Sequence, residues 1–261
     1  MGWLTGSMQN NTVAWLVIST LVGGVLGAAV RFLAEDVLRP RAGVIRETRR
    51  IERQYATPLL RSAEALERRI NIMVRNEEKH WFSTDEYMRL STLYILGEHL
   101  GWVRIIERQF GFLPFESARR GRQLNRRLNG LFRALSSHAY FRWHPDQDAV
   151  SRSAVPRLMF SAIGEVMTGG GEATRVLEFT EFALRYAGDA QFRRWFAEAA
   201  DLFTQAHPDH PLHWDRLIAA GACLRNLTDF LDPRATLVAR RPAANLDLMC
   251  FAQARRIVAE E

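Results

Sequence analysis

No acidic or basic side chain occurs before Arg31, and Asn11 to Val30 forms one apolar run. At ~1.5 Å of rise per residue, a helix over residues 12–33 covers the ~30 Å hydrocarbon core of a bilayer. The sequence therefore predicts a single N-terminal transmembrane helix. Seven arginines follow within 23 residues (Arg31, Arg39, Arg41, Arg46, Arg49, Arg50 and Arg53), against Glu35, Asp36, Glu47 and Glu52. The positive-inside rule then places residues 1–11 outside and the chain from about residue 34 onward in the cytoplasm, as expected for a single-pass protein of a bacterial inner membrane. A cleaved signal peptide ending near Gly27-Ala28-Ala29 is the rival reading, but the apolar run lacks the basic n-region such a signal needs.

Small residues recur along this segment at helical spacing. Ser19, Gly23 and Gly27 lie four apart, and Thr20, Gly24 and Ala28 repeat the pattern on the next stripe. Close backbone approach through small residues is how helices associate in lipid, where no hydrophobic drive exists between them. The expectation is a homo-oligomer packed through Ser19, Gly23, Gly24, Gly27 and Ala28.

The 228 residues after position 33 are enough for a substantial core. Of the 35 basic residues, Lys79 is the only lysine, and the net charge is +6. Such a chain suits planar, bidentate contacts to phosphate or carboxylate. A lone lysine in the context Asn76-Glu77-Glu78-Lys79-His80 cannot serve a Walker A loop or a kinase motif, and the triple glycine 169–171 runs into Glu172, Ala173 and Thr174. No Gly-x-Ser-x-Gly, His-Glu-x-x-His or Cys-x-x-Cys occurs, so the expectation is a protein that is not an enzyme and has no cofactor. Cys223 and Cys250, far apart in helical patterns, read as free thiols in a reducing compartment.

No run alternates apolar and polar residues over strand length, so the expected fold is all-α. Residues 34–82 read as a juxtamembrane helical linker or stalk, and 83–261 as a cytoplasmic all-helical bundle domain. Thr57-Pro58 resembles a cap and first-turn pair that restarts or bends the juxtamembrane helix. Beyond it Leu59, Leu66 and Met73 recur every seven residues with Ala56, Ala63 and Ile70 between, which suits either a short coiled coil or burial against the domain's own helices. Ser83 with Glu86 three residues on predicts a capping box opening an apolar helix to about Arg108. Within it Gly97 and Gly101 invite close helix packing, and Glu98 and His99 require partners if buried. Further helices are expected to His138, from Pro156 to Met167, and over Glu172–Tyr186, Asp189–Ala206, Leu212–Leu231 and Leu246–Glu260.

Ser117 to Pro145 holds seven arginines and no acidic residue. Arg119, Arg122, Arg126 and Arg133 fall on one helical stripe, with Arg120 and Arg127 beside it, and like charges so placed repel unless an anion sits on them. Phe132, Tyr140, Phe141 and Trp143 offer ring faces nearby. Guanidinium forks for phosphates and flat faces for bases suit a single-stranded nucleic acid or nucleotide ligand. Adhesion to anionic membrane lipid, or a merely solvated basic face, fits the same arginines. His207, His210 and His213 form a metal-like cluster, but Pro208 and Pro211 interrupt it, and a polar turn capping the helix from Leu212 is the better reading.

The run Tyr55-x-x-Pro58-Leu59-Leu60-x-x-Ala63-x-x-Leu66, followed by Ser91-Thr92-Leu93-Tyr94-x-x-Gly97-x-x-x-Gly101-Trp102, resembles a group of bacterial helical proteins with one N-terminal span. Within that group the architecture is similar to the membrane subunit of two-gene phage-defence operons of the Hailong type. The resemblance implies an oligomeric effector whose cytoplasmic domain binds a DNA oligomer, whose spans form an ion-conducting path, and whose companion nucleotidyltransferase makes the signal. The other class left open is a membrane-tethered scaffold that docks a protein or anionic lipid through its basic face.

Overall fold

A computed structural model describes residues 39–76, 81–110, 119–142, 144–168 and 175–238. The predicted span 12–33, with Ser19, Gly23, Gly24, Gly27 and Ala28, lies outside these residues, as does the expected helix Leu246–Glu260. No described helix is long and apolar enough to cross a membrane. Two compact units divide the chain at Arg50 and Ile51. The architecture below is that of the second.

Tyr55, Leu59, Ala63, Leu66, Ile70 and Val74 recur at helical spacing and are all buried, and they make one face of α1, Arg39–Arg75. Pro58 does not restart the helix; it lies within it. Interior proline costs a helix roughly 3 kcal/mol, and the apolar face continuing on both sides of Pro58 offsets it. Burial against the domain's own helices accounts for the heptad-like stripe. Polar groups pin α1 as well. Ser62 Oγ lies 3.1 Å from His99 Nδ1, and Arg225 reaches the buried Glu67 carboxylate at 3.4 Å.

A single turn, α2 (Trp81–Thr84), precedes the apolar helix α3 (Glu86–Phe110). Ser83 therefore lies inside a helix and does not open α3. Asp85 caps α3 through Oδ1, which accepts from Met88 N at 3.1 Å. Phe82, buried against the Phe203 ring at 5.4 Å, holds the preceding turn helical and pushes the cap two residues on. α6 (Arg157–Met167) crosses α3 closely at Gly164, where a Cβ would stand 2.7 Å from the Leu100 carbonyl. The N-cap of α6 is Pro156, which the sequence placed at its first residue.

The remaining elements are α4 (Arg119–Ser136), a 3-10 turn (Ala139–Phe141), α5 (Gln147–Arg152), α7 (Phe179–Gly188), α8 (Ala190–Trp195), α9 (Ala197–Gln205) and α10 (Pro211–Leu231). The helix expected from Glu172 begins only at Phe179. The one expected over Asp189–Ala206 is split at Phe196, whose fully buried ring meets Phe182 at 5.3 Å and anchors the break. α10 runs through the interior with Leu217 to Leu224 all buried, and α4 packs along it. Every described regular element is helical, so the fold is all-α over these residues.

Candidate anion-binding face

α4 separates its residues sharply by face. Leu124, Leu128, Leu131, Ala134 and Leu135 are buried toward α10, while Arg122 and Arg126 are exposed on the opposite side. Arg119 and Arg120 form its first turn, which contains no acid. Their side chains lie outside the described residues. Cations at a helix N-terminus oppose the macrodipole by ~0.3–1 kcal/mol each, and Arg122 and Arg126, one turn apart, add repulsion. The helix carries this cost because its apolar face is buried, and a bound anion would relieve it.

The other two predicted arginines are docked on the protein. Arg127 donates from Nε to the Asn226 carbonyl at 3.3 Å, and its guanidinium lies 4.7 Å from the centre of the Phe230 ring. Arg133 is half-buried with its guanidinium 5.2 Å from the centre of the Tyr140 ring. The structure thus leaves Arg122 and Arg126 as the outward part of the stripe and uses Arg127 to hold α4 to α10. The expected ring faces are not on the surface: Phe132, Tyr140 and Phe141 all belong to the core. Trp143 lies outside the described residues. Phosphates can be gripped here, but these three rings cannot stack bases.

Two arginines that the sequence does not single out brace α4. Arg157, the first residue of α6, donates to Asn129 Oδ1 at 2.6 Å and lies 5.3 Å from the centre of the Phe132 ring. Arg216 is fully buried in α10 and holds the C-terminal end of α4 from beneath. Its Nη1 donates to the Ala134 and Ser137 carbonyls at 2.9 and 3.0 Å, its Nη2 to the Val150 carbonyl at 2.9 Å, and its Nε to Ser153 Oγ at 2.9 Å. Those carbonyls end α4 and α5, so the cation sits at the negative ends of two helix dipoles. Burial pushes its pKa down to about 10, which still leaves it charged at neutral pH. An arginine directly before the apolar run Leu217-Ile218-Ala219-Ala220 was the available signal, but nothing local names its partners.

His99 is buried, held through Nδ1 by Ser62, and burial lowers its pKa to about 4, so it is neutral. Glu98, half-buried near Glu178, has its pKa raised by burial and by that neighbouring charge. The histidine cluster is the expected polar turn. His207 Nδ1 lies 3.1 Å from Asp209, the His210 N–H bonds the His207 carbonyl at 2.8 Å, and α10 starts at Pro211. No cluster of three metal-type side chains occurs among the described residues. Cys223 is buried with its Sγ 3.8 Å from the Tyr140 hydroxyl, and Cys250 lies outside the described residues.

No protein-family model matches the chain, and neither a curated protein nor a solved structure does.

Proposed function

We propose that this chain is a membrane-anchored, self-associating bacterial effector whose basic helix α4 binds a phosphate-bearing ligand, a nucleic-acid oligomer or nucleotide, and so controls an ion-conducting or membrane-disrupting assembly. The observation that carries the proposal is the acid-free outer face of α4, with Arg122 and Arg126 exposed opposite a fully apolar buried face. The apolar, small-residue segment 12–33 supplies the anchor and the self-association. The resemblance to the Hailong-type membrane subunits supports the assignment to anti-phage defence, with a companion nucleotidyltransferase as source of the ligand. The protein acts by binding and gating, without catalysis of its own.

A second reading is favoured by one observation. With Phe132, Tyr140 and Phe141 buried, the face has phosphate-gripping groups without those base-stacking rings, which equally suits a tethered scaffold docking an anionic lipid or protein. Two assays on the purified protein separate the readings. Short single-stranded DNA should bind with strong salt dependence, and binding should vanish when Arg119, Arg122, Arg126 and Arg133 are changed to Glu. Ligand-dependent leakage from liposomes bearing the protein supports the effector. No DNA binding at low salt, with retention on anionic vesicles, favours the scaffold.

A further inference from the structure

Asn129 occupies an unusual place on α4. Its Nδ2 donates to the carbonyl and to Oδ1 of Asn125, both at 2.8 Å, which fixes its oxygen toward Arg157 of α6. Three and four residues away on the same helix stand Arg126 and Arg133, and residues so spaced are surface neighbours with Cβ atoms about 5–6 Å apart. Of these, Arg133 is docked on the Tyr140 ring, so two arginines from two helices, Arg126 and Arg157, stand beside one neutral amide. Among the described residues neither Arg126 nor Arg157 is paired with a carboxylate. The nearest acid along α6, Glu165, is engaged by Arg104 and Arg108 at 3.5 and 2.8 Å. An aspartate at position 129 would satisfy Arg157 outright. The asparagine holds the guanidinium in place without neutralising it, and the Phe132 ring supports it from one side.

We propose that Arg126 and Arg157 beside Asn129 form a seat for a phosphomonoester dianion, the terminal phosphate of a soluble ligand or of a lipid headgroup. A monoester carries close to two charges at neutral pH, one for each guanidinium, and three terminal oxygens, whereas a phosphodiester offers one charge and two oxygens. Arg157 needs little reorganisation, since Asn129 and Phe132 already hold it. The seat rests on the reading of α4 as the phosphate-binding face, and it narrows that reading from any polyanion to one with a terminal phosphate.

The test uses the full-length protein in detergent with two matched ligands, a short oligodeoxynucleotide bearing a 5′-phosphate and the same oligonucleotide with a 5′-hydroxyl. The phosphorylated form should bind about tenfold more tightly, the worth of one added charge-assisted contact. Asn129→Asp, which gives Arg157 a carboxylate and keeps the α4–α6 contact, should abolish that preference without lowering the thermal midpoint. Arg157→Gln should abolish it as well. If neither oligonucleotide binds, vesicles containing phosphatidic acid should retain the protein better than vesicles of phosphatidylglycerol, with the same dependence on Asn129, and the lipid is then the source. Equal binding of both oligonucleotides, lost in Arg122→Glu/Arg126→Glu but kept in Asn129→Asp, overturns the seat while leaving the broader α4 reading intact. Absence of any preference for a monoester, in solution or on vesicles, also overturns it.

Discussion

Replacing Arg216 by Met tests how the basic helix is held in place. The side chain contributes no exposed surface, and its four hydrogen bonds join the end of α4, the end of α5 and the second turn of α10. Methionine fills a similar volume but leaves the carbonyls of Ala134, Ser137 and Val150 without these donors. A buried acceptor left unsatisfied costs roughly 1–3 kcal/mol. Set against relief of the guanidinium's own desolvation, three of them leave a net loss of about 3–5 kcal/mol. Arg216→Lys should fall between wild type and Arg216→Met, because a compact ammonium cannot span four acceptors arranged as a fork. Urea unfolding followed by far-UV circular dichroism reads the effect. With a slope of about 1–3 kcal/mol per molar, the methionine variant should unfold at least ~1 M earlier. A midpoint unchanged within ~0.3 M, or a lysine variant as stable as wild type, would refute the role assigned to Arg216.

Gly164→Ala should destabilise the protein by about 2 kcal/mol despite alanine's better helix propensity, because its Cβ would press against the Leu100 backbone carbonyl. Gly97→Ala should be nearly neutral, since the atoms it meets belong to the flexible Met167 side chain; comparison of the two unfolding midpoints checks both. Stability should also fall with pH below neutrality through His99. Its folded pKa is depressed to about 4 from an ordinary 6.5, so the unfolded chain takes up the proton first. The stabilisation is complete above pH 6.5 and is lost as pH falls toward 4, about 3 kcal/mol in all. His99→Phe should flatten that part of the pH–stability curve.

The helical class and the apolar face of α1 were legible because periodicity alone carries them: Leu59, Ala63, Leu66 and Ile70 repeat regardless of what they meet. The outer face of α4 was legible for the same reason, since Arg122 and Arg126 share a stripe that no acid interrupts. Local signals failed where a tertiary contact outweighed them. Pro58 reads as a break, but apolar burial runs through it. Ser83 reads as a cap, yet Phe82 is pulled into the core and Asp85 takes that role. Arg127 belongs to the basic cluster by sequence and to the α4–α10 junction by geometry, through Asn226 and Phe230. The rings of Tyr140 and Phe141 read as stacking platforms beside the arginines, and they are core residues beneath them. Arg157 and Arg216 find their partners 28 and 63 to 82 residues away, beyond the reach of any spacing rule.

The most direct test is the salt dependence of binding to a short single-stranded oligonucleotide, measured for wild type, Arg122→Gln/Arg126→Gln and Arg127→Gln. Each phosphate contact to a single strand contributes about −0.7 to the slope of log K against log salt concentration. Loss of the two exposed arginines should therefore make the slope shallower by ~1.4. Arg127→Gln should leave the slope unchanged and lower the unfolding midpoint. Equal slopes for wild type and the double variant, or a shallower slope on replacing the docked Arg127, would contradict the assignment of the outer face of α4 as the phosphate-binding surface.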